Sequence, residues 1–143
     1  EIAEAFLIRR AVESESAAQA AGRMTQSHAD RLEDILLLHA RALERKKYVE
    51  AIEHDDDFHR YIAGISNLPR LWRAIEISKA QLDRCRHMMV PREGEAETTL
   101  EKHRTIITAL KSGDPETAAR AMRDHLETAY HSTVAVLDGP GLN

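Results

Sequence analysis

The sequence has a single cysteine, Cys85, so an internal disulfide is excluded and the chain suits a reducing compartment. Cys85 reads as a small core side chain. Aromatic residues make up only 4% of the chain, and six glycines and four prolines are too few for the turn-rich punctuation of an all-β fold. No apolar run approaches the roughly 20 residues that cross a bilayer. Basic residues are not in excess either: 20 Lys and Arg against 24 Asp and Glu give a net charge of −4, which is no electrostatic footprint for nucleic acid. The chain opens at Glu1, without an initiator methionine, already in a helical pattern and without signal-peptide features. The expectation is a cytoplasmic protein with a segment preceding Glu1.

What is abundant is helical periodicity. The 143 residues suit one domain, residues 1–143. Ile2, Phe6, Arg9, Glu13, Ala17 and Ala20 share one face of a first helix that Gly22 ends. A second helix runs from about Ser27 to Arg45, with Ser27 and Asp30 as a capping box. The third, from Tyr48, turns Ile52, Asp55, His59, Ile62 and Ser66 inward. Asn67 then caps a fourth helix, whose stripe runs from Leu68 to Met89 with Pro69 in the first turn. Pro91 and Gly94 lead to a fifth helix bearing Leu100, His103, Ile107 and Leu110, which Ser112 and Gly113 stop. Asp114, Pro115 and Glu116 start a sixth, carrying Ala118, Met122 and His125 inward and running to about Leu137 before Gly139-Pro140-Gly141. The expected fold is an all-α, antiparallel bundle of about six helices.

Four polar residues fall on faces that the period assigns to the interior: Asp55, His59, His103 and His125. One histidine on an apolar face is more often a hydrogen-bonded core residue than a ligand. Four such residues on three helices point instead to a metal, because an unpaired carboxylate in a core is costly and a divalent cation removes that cost. Three imidazoles and a carboxylate suit zinc, nickel, iron or manganese rather than calcium or magnesium. A position left open on the metal could take water or a small acid.

The remaining histidines, His28, His39, His54, His87 and His131, read as having no part in the site, although His39 lies on an apolar stripe. Asp56 and Asp57 turn about 100° and 200° away from Asp55 and read as a solvated edge, from which they could still orient a ligand histidine. Arg9 either pairs with Glu13, four residues on, or awaits an anion. Arg86 and Arg84 are further candidates for that anion, with a solvated face as the plainer reading.

The segments Ile8-Arg9-Arg10-Ala11-Val12-Glu13, Asp55-Asp56-Asp57-Phe58-His59-Arg60, Ser66-Asn67, Glu101-Lys102-His103-Arg104 leading into Ile106 to Leu110, and Ala118 through His125-Leu126 together span nearly the whole chain. In these the chain resembles the FCD domain, the ligand-binding domain of the FadR branch of GntR-type bacterial transcription regulators, and is similar to the smaller six-helix VanR-type subgroup. The resemblance implies a metal on Asp55, His59, His103 and His125. It also implies a small carboxylate effector contacting the metal, a homodimer, and operator DNA read by an N-terminal winged helix-turn-helix absent from this chain. Arg9 would supply a second contact to the acid, with Arg86 a further candidate. The turn Ile65-Ser66-Asn67-Leu68-Pro69 departs from the family pattern, in which glycine often precedes the asparagine and proline directly follows it. The alternative is a metal-dependent helical-bundle hydrolase or oxygenase, which would require a catalytic base beside the ligands.

Overall fold

The computed structural model describes residues 1–139. Six helices follow one another: α1 Ile2–Ala21, α2 Gln26–Glu44, α3 Tyr48–Ser66, α4 Pro69–Met89, α5 Glu95–Lys111 and α6 Pro115–Leu137. Short connections reverse the chain between them, and no strand occurs among the described residues. The expected bundle is therefore the observed one. Of the stop expected at Gly139-Pro140-Gly141, Pro140 and Gly141 lie outside the described residues.

Helix α1 is the central element, packed against α3, α4, α5 and α6. Its buried residues are mostly small, Ala5, Ser14, Ser16, Ala17, Ala20 and Ala21 among them, and small side chains let neighbouring helices approach closely on several sides. Phe6 fixes the contact with α6 by stacking on Tyr130 at 4.2 Å between ring centroids. The core continues through Leu32, Ile35, Phe58, Ile62, Ile106, Leu110 and Met122. Two of the inward charges on α1, Arg9 and Glu13, are buried within this framework.

Two helix ends differ from expectation. Thr25, not Ser27, caps α2: its extended backbone lets Oγ1 accept from the His28 N–H, while His28 Nδ1 accepts from the Thr25 N–H. His28 thus fills the place that Glu or Gln takes in a capping box, and Ser27 lies inside the helix. Asn67 does not cap α4. It ends α3 in the left-handed conformation, φ 58° and ψ 37°, with its N–H on the Gly64 carbonyl. Asparagine tolerates that region better than other non-glycine residues, so the turn is made without the family's glycine. Leu68 then precedes α4 with its side chain 40% exposed rather than on the buried stripe. Asp114 caps α6 as expected, accepting from the Thr117 N–H with Pro115 in the first turn. Cys85 is partly buried at the edge of the core, not within it.

Candidate metal centre

Four helical positions from three helices converge. Asp55 and His59 lie one turn apart on α3, His103 comes from α5 and His125 from α6. One ligand atom from each lies within 4.8 Å of all the others. The three imidazoles are buried and Asp55 is partly so. Nε2 of His103 and Nε2 of His59 stand 3.1 Å and 3.4 Å from Asp55 Oδ1, yet neither nitrogen has a hydrogen-bond partner. Buried polar nitrogens are ordinarily paired, so two orphans facing one carboxylate oxygen are donors that a shared cation could take up. Nitrogen and oxygen donors of this kind are those that zinc, nickel, iron and manganese accept.

The rings are held from outside the cluster. Phe58, the neighbour of His59 on α3, is fully buried and stacks on His103 at 4.1 Å and 9° between planes. Glu13 of α1 accepts a hydrogen bond from His59 Nδ1 at 2.5 Å, which leaves Nε2 directed at Asp55. The other oxygen of Glu13 pairs with Arg9 Nε. A carboxylate on the far nitrogen of a histidine fixes its tautomer and raises its basicity as a ligand. Sequence reading placed Glu13 inward but gave it only Arg9 as partner. The periodicity of α1 carried that signal, whereas the contact with α3 lies 46 residues away in sequence.

The electrostatics follow from burial and pairing. Burial alone would raise the Asp55 and Glu13 carboxyls, but His59, together with Arg86 for Asp55 and Arg9 for Glu13, outweighs it and holds both well below the usual carboxylate range. Burial pushes His103 and His125 down, toward the neutral form a metal requires. His59 is pushed down by burial but raised on balance by Glu13 and Asp55, so an incoming cation would displace its proton.

Three expectations about the surroundings need correction. Asp56 is no solvated edge: it accepts from Lys79 and, at 2.7 Å, from Arg86, and only Asp57 sits at the rim, paired with Arg60. Arg86 is likewise no surface residue; Nη2 also reaches Asp55 Oδ2 at 2.9 Å. His39, set aside in the sequence, is 3% exposed, lies 5.3 Å from His103 between ring centroids and lines the adjoining cavity. Burial pushes it down to about 4 despite Asp55 nearby. Its place on the apolar stripe of α2 was the available signal. His54, His87 and His131 stand outside the cluster, and His28 serves as a cap.

Beside the cluster lies a cavity of about 100 Å³, bordered by Arg9, His39, Asp55, Arg86, Glu95 and His125. That is below the roughly 300–1,000 Å³ of drug-sized sites and suits a molecule of a few carbons. Arg9 both pairs with Glu13 and borders the cavity, so the two readings of this residue are compatible. The inward acid Glu13 is committed to His59 and Arg9 and is not free to act as a base.

Among the described residues no helix is long and apolar enough to cross a membrane. The FCD domain model matches residues 4–128. The HTH-type transcriptional repressor RspR of Escherichia coli (strain K12) is 35% identical over 125 residues, covering 87% of this chain and 55% of that protein. The HTH-type transcriptional repressor NanR of Edwardsiella tarda (strain FL6-60) is 30% identical over 133 residues, covering 87% of this chain and 48% of that protein. The chain therefore spans about half the length of these curated relatives. The solved structure of E. coli McbR/YncC superposes with a TM-score of 0.84 at 21% identity, over 93% of this chain and 67% of that one, a likeness of fold. This kinship sets aside the hydrolase or oxygenase alternative: the chain belongs to the FCD domain family of GntR-type transcription regulators.

Proposed function

We propose that this chain is the metabolite-sensing domain of a bacterial transcription regulator. Asp55, His59, His103 and His125 hold a divalent transition metal, and a small carboxylic acid in the adjoining cavity binds at its open position. The observation that carries this reading is the pair of buried, unpartnered Nε2 atoms of His59 and His103 beside Asp55 Oδ1. Bound there, the metal supplies a Lewis-acidic anchor for the carboxylate. Arg86 and Arg9 add positive charge at the cavity wall, and Arg86 can exchange part of its pairing with Asp55 for the incoming anion.

The relatives named above carry HTH in their names, and this supports an operator-reading segment preceding residues 1–143. In this reading the full-length protein is a cytoplasmic homodimer, and the acid shifts the arrangement of its two DNA readers. A coupling of roughly 1–3 kcal/mol would change operator affinity about 5–150-fold.

Metal analysis and thermal unfolding test the centre. Purified protein should carry close to one transition ion per chain, and chelation should lower its melting temperature. His103→Ala should lower both metal content and stability. Protein without metal, melting identically with and without chelator, would sink the reading. A panel of small carboxylates added to the metal-loaded protein should contain members that stabilise by about 2.7 kcal/mol at a hundredfold excess over Kd. Arg86→Ala should weaken that response.

A further inference from the structure

His59 and His103 are not equally supported. Nδ1 of His59 is held by Glu13, but Nδ1 of His103 is buried without a partner, although Phe58 fixes the ring by stacking. A ligand histidine ordinarily donates its remote N–H to an acceptor. A second unpartnered, buried Nδ1 belongs to His39, on α2. The two rings are 5.3 Å apart between centroids and tilted by 56°. At that separation ring nitrogens that face each other along the line of centroids come into hydrogen-bond range. His103 is clamped by Phe58, whereas His39 borders the cavity, so His39 is the ring with open space on one side.

We infer that His39 is the positioning residue for His103: with metal bound at Nε2, His103 donates its Nδ1–H to the Nδ1 lone pair of His39. Each of the two histidines then has an acceptor or donor on its orphaned nitrogen, and His103 gains the support that Glu13 gives His59. The inference rests on the metal reading above. It extends that reading by adding a second tie between ligand set and cavity, because His39 borders the cavity and would support the ligand His103. An acid entering the cavity and an ion entering the cluster are thereby linked through one side chain, and by reciprocity each changes the affinity of the other.

The test uses zinc alone, titrated into the full-length protein in competition with a chromophoric chelator. His39→Leu should weaken zinc binding by about 10–100-fold without changing its stoichiometry. His39→Gln, which keeps an acceptor, should recover most of the loss. Equal affinity in wild type and His39→Leu would overturn the inference, as would equal losses in both variants, which would mark His39 as a packing residue. A fall in stoichiometry would make it a ligand and overturn the inference too. An independent measurement needs no variant: nitrogen-proton NMR of the zinc-loaded wild type should show His39 as the Nε2–H tautomer and a protected Nδ1–H on His103. A proton on His39 Nδ1 would refute the assignment even if both variants failed to fold. Absence of zinc binding by wild type would instead refute the metal reading itself.

Discussion

Glu13→Gln is the sharpest perturbation that the bundle allows, because Glu13 is 1% exposed and joins two roles in one carboxylate. Its charge neutralises the buried Arg9 guanidinium and its Oε1 fixes His59. The amide keeps the size and can still accept from His59 Nδ1, so what is lost is the countercharge that Glu13 gives His59 and Arg9. Removing one partner of a buried ion pair costs about 3–5 kcal/mol. The retained hydrogen bond places the expectation at the lower end, roughly 3 kcal/mol. At about 2–4 °C per kcal/mol for a chain of this size, the chelated protein should melt roughly 6–12 °C lower near neutral pH. The sign with pH is fixed. Glu13 has its folded pKa depressed below an ordinary 4.5, so its contribution is present above 4.5 and lost as pH falls through the folded value. The gap between wild type and variant should therefore close in acid. Zinc affinity should fall by about 10-fold, the lower end for a residue that orients a ligand. Thermal melts and a competition titration read both quantities. Melting within about 2 °C of wild type would refute the ionised, buried bridge between α1 and α3.

Two other outcomes follow from the same geometry. His39 ionises in the unfolded chain near 6.5 but in the fold only at about 4, so stability of the metal-free protein should fall as pH drops from 6.5 to about 4. The His39 share, 6.5 minus about 4, amounts to roughly 3 kcal/mol. Urea unfolding across that range should be flatter for His39→Leu, and an unchanged slope would exclude His39 as a source. At the α3 to α4 turn, Asn67→Gly should leave stability equal or slightly raised, while Asn67→Val should lower it by roughly 1–2 kcal/mol because of the positive φ. Chemical denaturation of the pair measures this, and a Val variant as stable as wild type would contradict the left-handed helix end.

Most of the fold was legible because each helix carries its own apolar stripe and its own stop signal. Asp114-Pro115 started α6 where the residues said it would, since a cap and a proline act within one turn. The errors at Ser27 and Asn67 have a common origin. Both lie within two residues of the observed cap, and choosing among neighbouring polar side chains depends on backbone angles that composition does not reveal. The four residues of the centre were legible for the same reason as the core, because periodicity says which side chains point inward. The three supporting residues were not. Glu13, His39 and Arg86 each act across a helix interface, and spacing within one helix does not name the partner on the next.

The sequence by itself determined six helices, their inward faces and the presence of one carboxylate and three imidazoles on those faces, because a 3.6-residue period is a local property of the chain. Only the tertiary structure decided that Asp55, His59, His103 and His125 meet within 4.8 Å, that Glu13 holds His59, and that Asp56 and Arg86 form a partly buried pair instead of a solvated edge. Those contacts depend on how α1, α3, α4, α5 and α6 are rotated and stacked against each other. That packing is set by the whole core at once, and no single stretch of sequence contains it.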